Sequence, residues 1–279
     1  LSFVEGTRTF TIAPTGVEFV FYTMATRYAK TAPDSIVIPD VEGMHFFYYD
    51  LTGTLTQTQV FSNAIITDYA FIALVYWDAT NNVMVTLADE RHGNIMDSAT
   101  HLYNHETVGT RYGGGCTPGD ILADENGSLL THAQFSVTSG TIFDEDLEFT
   151  LAAKAVGNVI PVLWKEGVNG DWRVDKTTTA VVKTTGTGRA AYNQFTGGAW
   201  QLTETGSNKY LCMHLYATDD TTYPYFLIMG ENEYTSLNTA RTGATTELFS
   251  LETNGLPVVE FKSLATFIVQ TKTTFANAV

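Results

Sequence analysis

Two stretches of this chain, Tyr69 to Glu90 and Tyr210 to Glu231, align without a gap at a constant offset of 141 (210 − 69 and 231 − 90). Each reads as an aromatic-rich strand, an Asp/Thr turn around Asp78 or Asp219, and a second apolar strand ending in an acid. Upstream, Tyr49-Asp-Leu-Thr-Gly-Thr-Leu55 and Tyr192-Asn-Gln-Phe-Thr-Gly-Gly-Ala-Trp200 form a similar strand, turn, strand pair. Repeated hairpins confine a chain to layered sheets, because each unit buries its apolar face only against a neighbour. The alternative is two unrelated hairpins that look alike because the chain is rich in Tyr and Thr.

At 279 residues and 44% hydrophobic content, the chain can bury one large core or two ordinary ones. Only 16% of residues are charged, against roughly 25% in an average soluble protein, and Thr, Tyr, Phe and Gly belong to strands and tight turns. The net charge of −15 repels phosphate backbones, so no nucleic-acid partner is expected. Two cysteines, Cys116 and Cys212, are too few for a disulfide framework, and Cys212 reads as a core residue. The longest apolar run, Tyr69 to Trp77, is about half of the ~20 residues that span a bilayer, so no membrane insertion is expected. The chain opens at Leu1 without an initiator Met or a basic-then-apolar leader, which predicts no signal peptide and fits a fragment, a processed product or the ordered part of something longer.

The pattern predicts strands over Thr9–Ala13, Val17–Tyr22, Arg27–Lys30, Ser35–Ile38, His45–Asp50, Leu55–Phe61, Tyr69–Trp77 and Val83–Ala88, separated by Pro, Gly, Asp and Asn turns. Val17, Phe19 and Phe21 give one strand an apolar face, and Glu18, Val20 and Tyr22 give it a mixed face suited to another layer or chain. Asn94 to Val108 breaks the period: Asp97 as N-cap, Ala99, Leu102 and Tyr103 on one side, and Gly109 past the end predict a short helix. Glu231 to Gly243 repeats this, with Gly243 closing the helix. Thr110–Gly119 reads as loop, followed by an Asn126-Gly127 turn and a strand over Leu129–Val137. Later strands are expected over Asn158–Lys165, Asp171–Asp175, Ala180–Lys183, Arg189–Phe195, Trp200–Thr205 and Tyr210–Ala217, with an Asn254-Gly255 hairpin joining Leu248–Glu252 to Val258–Lys262 and a last strand over Leu264–Thr271. The expected fold is mainly β: two related antiparallel β-sandwich-like units, 1–157 and 158–279, each with one short helix after a hairpin, near 97–107 and 232–242.

Asp89-Glu-Arg-His-Gly93, with Asp97, His101 and His105, is the densest polar cluster. His101 and His105 are four apart and share a helix face, so His92, His101 and His105 are candidate ligands for zinc. The plainer reading pairs Arg91 with Glu90 or Asp97 and packs the histidines under a loop, with no metal and no cofactor. Paired carboxylates for glycoside hydrolysis would come from Asp89 or Glu90, Asp144-Glu-Asp146, or Asp124-Glu125, each of which also reads as a solvated turn. No catalytic residue is assigned, since no nucleophile elbow, P-loop or dinucleotide fingerprint is present. Trp164, Trp172, Trp200, Tyr192, Tyr223 and Tyr225 would fill a core or interface, or leave it to meet sugar faces. The Asn126-Gly-Ser128 sequon carries little without a secretory context.

Leu87-Ala-Asp-Glu-Arg-His-Gly93, Met96-Asp97, Thr100-His-Leu-Tyr103, His105-Glu-Thr107, Ala133-Gln-Phe135, Ser139-Gly-Thr-Ile142 and Asp144-Glu-Asp146 resemble a group of tailed-bacteriophage virion proteins described as fibre-like or structural. The resemblance continues through Arg189-Ala-Ala-Tyr-Asn193, Met229-Gly-Glu231, Tyr234 and Ala240-Arg-Thr-Gly243. It implies a virion component assembled in a bacterial cytoplasm, contacting other virion proteins, forming a homo-oligomer with a trimer favoured, and meeting a host-surface glycan as a tail or host-attachment module. A particle-borne polysaccharide-degrading enzyme and a purely structural connector are the alternatives.

Overall fold

The computed structural model describes residues 1–91, 97–122, 133–145, 147–177, 180–186 and 189–272. Within them the chain is mainly β. It begins with β1 (Ser2–Val4), β2 (Thr9–Ile12), β3 (Phe19–Thr23), β4 (Thr26–Lys30), β5 (Asp34–Val37), β6 (Gly43–Tyr49) and β7 (Leu55–Thr58). The short helix α1 (Ala64–Thr67), β8 (Ala70–Asp78), β9 (Val83–Asp89) and helix α2 (Ser98–Thr107) follow. Next come β10 (Arg111–Gly115), β11 (Pro118–Leu122), β12 (Gln134–Val137), β13 (Gly140–Asp144), β14 (Leu147–Leu151), β15 (Val162–Glu166) and β16 (Asp171–Asp175). The last part holds β17 (Ala191–Thr196), β18 (Ala199–Glu204), β19 (Lys209–Thr218), β20 (Tyr225–Met229), helix α3 (Leu237–Ser250) and β21 (Phe261–Thr271).

Two sheets organise the molecule, with orders β7-β6-β8-β9 and β16-β15-β20-β19-β21. Both repeated segments fold as expected into antiparallel hairpins, β8 with β9 and β19 with β20. β8 is an almost unbroken apolar run because both its faces are covered. On one face of its sheet, Phe47, Tyr49, Val75 and Trp77 pack with Phe10, Ile12 and Phe21 from the N-terminal strands. On the other, Tyr76 and Val85 meet Leu163, Trp172, Tyr216, Phe226 and Ile228 of the five-stranded sheet. The alternate side chains of β19, Leu211, Met213, Leu215 and Ala217, point to that sheet's opposite face, where Phe135, Val137, Ile142 and Leu151 cover them. Apolar clusters therefore join residues on both sides of residue 157.

The repeat holds for hairpin and helix, but the sheets around them differ. β6 and β7 join the first hairpin in one sheet through β6–β8 pairing. In the second copy β17 and β18 form a separate pair, while β21 flanks β19 and β15 runs parallel to β20. At the β6–β7 turn, Asp50 Oδ1 accepts from Thr52 N (2.8 Å) and Thr54 N (3.0 Å), and Gly53 takes a φ of +73° against the Tyr28 ring.

α2 starts where expected, with Asp97 Oδ1 accepting from Ala99 N and Thr100 N (both 3.1 Å), and Gly109 lies past its end at φ +58°. Its inward side, however, is His101, Leu102 and His105, whereas Ala99 and Tyr103 are exposed. The second helix is displaced from the expected 232–242 to Leu237–Ser250, because Ser236 and Thr239 form a capping box. Gly243 does not close it. It lies inside, where the Tyr234 ring occupies the space a Cβ would need.

Asn254-Gly255 makes a turn between α3 and β21, not the expected hairpin, because Leu248–Ser250 complete the helix. Thr110–Gly119, expected as loop, carries β10 and the start of β11, with Gly113 letting Phe143 and Thr141 approach closely. Ala180–Lys183 forms no strand, though Ala180, Val181 and Val182 are buried. The Asn126-Gly127 turn and the first residues of the 129–137 strand lie outside the described residues. No helix among the described residues is long and apolar enough to cross a membrane.

Candidate functional site

Of the acids in the polar cluster seen in sequence, Glu90 faces inward, while Asp89 and Asp97 do not. Along β9 successive side chains alternate, so Asp89 and Arg91 share the outer side while Glu90 turns in. Arg91 Nε therefore bonds Asp89 Oδ1 (2.7 Å), not Glu90 or Asp97 as expected, and Asp97 caps α2 instead. Glu90 is 1% exposed, and its amide donates to Ile72 O (3.0 Å).

Four further carboxylates meet this point from other segments. Asp144 ends β13, and Glu145 occupies the tight turn to β14 with a left-handed φ of +48°. Asp219 follows the last residue of β19, and Glu260 immediately precedes β21. Across from them α2 presents its two imidazoles. His101 Nε2 lies 3.2 Å from Glu145 Oε2, and His105 Nδ1 lies 3.5 Å from Glu145 Oε1 and 3.8 Å from Glu260 Oε1. Thr110 Oγ1 donates to Glu260 Oε2 (2.6 Å), and Thr218 Oγ1 to Asp219 Oδ1 (3.0 Å).

Burial removes water from Glu90, Asp144 and Asp219 and neighbouring acids repel them, so these three resist ionisation. Burial first, then Glu260, Glu145 and Asp219, push the Asp144 carboxyl up to about 9. Glu90 is raised well above its usual range by burial and by Asp219, Asp144 and Glu260. Burial also raises Asp219, opposed by its hydrogen bond from Thr218. Such a cluster can either retain protons or gather a cation, since a buried unpaired carboxylate is costly. Beside it, a surface groove of about 350 Å³ is lined by Asp89, Glu148, Lys154, Asp219, Asp220 and Thr222.

The structure thus brings His101 and His105 onto one face as expected, but the partner facing them is Glu145. His92, Asp124, Glu125 and Asp146 lie outside the described residues. Glu260 and the inward role of Asp219 escaped the sequence reading. The repeat held a signal for Asp219, since its counterpart Asp78 is also buried at a strand end. There Asn81 donates twice to Asp78 and Arg173 stands 3.6 Å away, whereas Asp219 Oδ2 has no hydrogen-bond partner among the described residues.

The aromatics expected either to fill a core or interface or to leave it for sugar faces mostly lie inside. Trp172, Tyr192 and Tyr225 are buried, and Trp164, Trp200 and Tyr223 are half-buried. Lys165 Nζ lies between Trp172 and Trp200, 5.3 and 5.5 Å from their ring centres. Exposed rings occur elsewhere, at Tyr22, Tyr103, Tyr112, Phe195 and Phe249. No protein-family model, curated protein or solved structure matches this chain.

Proposed function

We propose that this chain is a non-enzymatic structural component of a phage virion, a fibre or tail attachment module that works through the surfaces it presents. The observation that carries the reading is the two-stranded β3–β4 hairpin. It turns Phe21 into the core against Tyr49, with ring centres 3.9 Å apart, and exposes Val20 and Tyr22 on its other face and Met24 in its turn. An apolar face on a sheet with open edges suits a neighbouring copy of the same chain, in line with the trimer favoured for fibre-like proteins. Phe195, 57% exposed beside Trp200 near the Gly197-Gly198 turn, is the aromatic pair best placed for a host glycan. Many weak contacts on one particle then add to firm attachment.

Sedimentation of the purified chain tests the assembly: a trimer is expected, and Tyr22→Asp with Met24→Asp should reduce it to monomer. Retention on host cells should be far greater for the intact particle than for the isolated chain, and equal retention would count against attachment. A second reading, a particle-borne polysaccharide-degrading enzyme, draws on the convergence of Glu90 and Asp144. Release of reducing ends from host polysaccharide, lost in Glu90→Gln or Asp144→Asn, would favour it.

A further inference from the structure

We propose that His105, Asp144 and Glu145, with Glu260 beside them, bind one divalent cation of the zinc and manganese class, which clamps α2 and the β13–β14 turn onto the ends of β9, β19 and β21. One ligand atom from each of His105, Asp144 and Glu145 lies within 4.8 Å of those of the other two. A metal about 2.0–2.2 Å from each donor holds neighbouring donors roughly 3.0–3.6 Å apart, so closing this triangle needs only small side-chain movements. His105 Nδ1 is already 3.5 Å from Glu145 Oε1 and 3.8 Å from Glu260 Oε1.

Acidity alone would not identify a ligand. Glu90 supplies the independent sign, because both its carboxylate oxygens are fully buried in the cluster without a hydrogen-bond partner among the described residues. Asp219 Oδ2 is likewise buried and unpartnered. These oxygens, two on Glu90 and one on Asp219, are left uncompensated by hydrogen bonds among the described residues, and a cation held in the cluster would compensate them. The imidazole sets the class: calcium and magnesium favour oxygen donors, whereas zinc and manganese accept a mixed nitrogen and carboxylate set. A solvent groove lined in part by Asp89 and Asp219 opens beside the cluster.

The ligands come from chain segments far apart in sequence, so the cation should stabilise the folded chain. The test uses the full chain, stripped with EDTA and titrated with Zn²⁺, Mn²⁺, Ca²⁺ or Mg²⁺. Expected are one bound Zn²⁺ or Mn²⁺ per chain and a Tm rise of about 5–10 °C at hundredfold excess over Kd. His105→Gln and Asp144→Asn should each weaken binding at least tenfold while circular dichroism stays unchanged. Glu106→Gln, on the exposed side of α2, should bind as the wild type does. If the variants fail to fold, Co²⁺ added to the wild-type chain should give visible absorption of mixed nitrogen and oxygen ligation that Zn²⁺ abolishes. The proposal is overturned by an unmoved Tm without stoichiometric ion, by equal binding in folded His105→Gln and Asp144→Asn, or by preference for Ca²⁺.

Discussion

Asp220 joins the two repeated hairpins, and its replacement by Ala measures how much that joint contributes. Its Oδ2 accepts from Thr86 Oγ1 (2.8 Å) and Leu87 N (2.9 Å) on β9, and its Oδ1 from Thr222 N (2.8 Å) and Tyr223 N (2.6 Å) in its own turn. Thr221 N adds a backbone bond to Leu87 O (3.1 Å) across the same gap. In Asp220→Ala the two turn amides are part-buried and can regain water, so their loss is small. Thr86 and Leu87 are 2% and 3% exposed, and each donor left unpaired costs about 1–3 kcal/mol. The expected loss is therefore about 4 kcal/mol, and about 2 kcal/mol for Asp220→Asn, whose amide keeps one accepting oxygen. Urea unfolding of both variants measures this, and a double-mutant cycle with Thr86→Val should return a coupling of about 1–2 kcal/mol. A loss below about 1 kcal/mol in Asp220→Ala, or no coupling, would refute the argument that this carboxylate ties the halves together.

Glu247 is buried, which raises its carboxyl, but hydrogen bonds from His214, Asn232 and the Glu231 amide outweigh burial and hold it below its usual value. Its contribution is present above the unfolded value near 4.5 and disappears as pH falls through the lower folded value, so the stability gap between wild type and Glu247→Gln should close in acid. Denaturation curves from pH 7 to 3 check this, and a gap that widens in acid would reverse the sign. Gly243→Ala would place a Cβ about 2.2 Å from the Tyr234 ring. It should cost about 2 kcal/mol by overpacking, despite the ~1 kcal/mol that Ala offers a helix, and a gain in Tm would refute the packing.

Much of the strand framework was legible because period-two patterning and turn residues act locally: Asp171–Asp175 and the hairpins over 70–89 and 209–229 sit where the pattern predicts them. The misplaced helix shows the limit. Gly243 reads as a stop signal, but Tyr234 needs its missing side chain, a packing demand that no local pattern contains. At the candidate site, helical spacing brought His101 and His105 together correctly. Glu260 could not be found the same way, since nothing near it in the chain distinguishes it from other surface acids.

Asp78 and Asp219 separate the two kinds of information. The sequence by itself determined that both stand at the end of an aromatic-rich strand entering a turn, and that the chain around them is sheet. Only the tertiary structure decided that Asp78 meets Arg173 while Asp219 is enclosed with Glu90, Asp144 and Glu260. The physical reason is that hydrogen-bonding pattern and backbone preference are set by neighbours in the chain, whereas the charge that a buried carboxylate feels is set by distant segments brought near it.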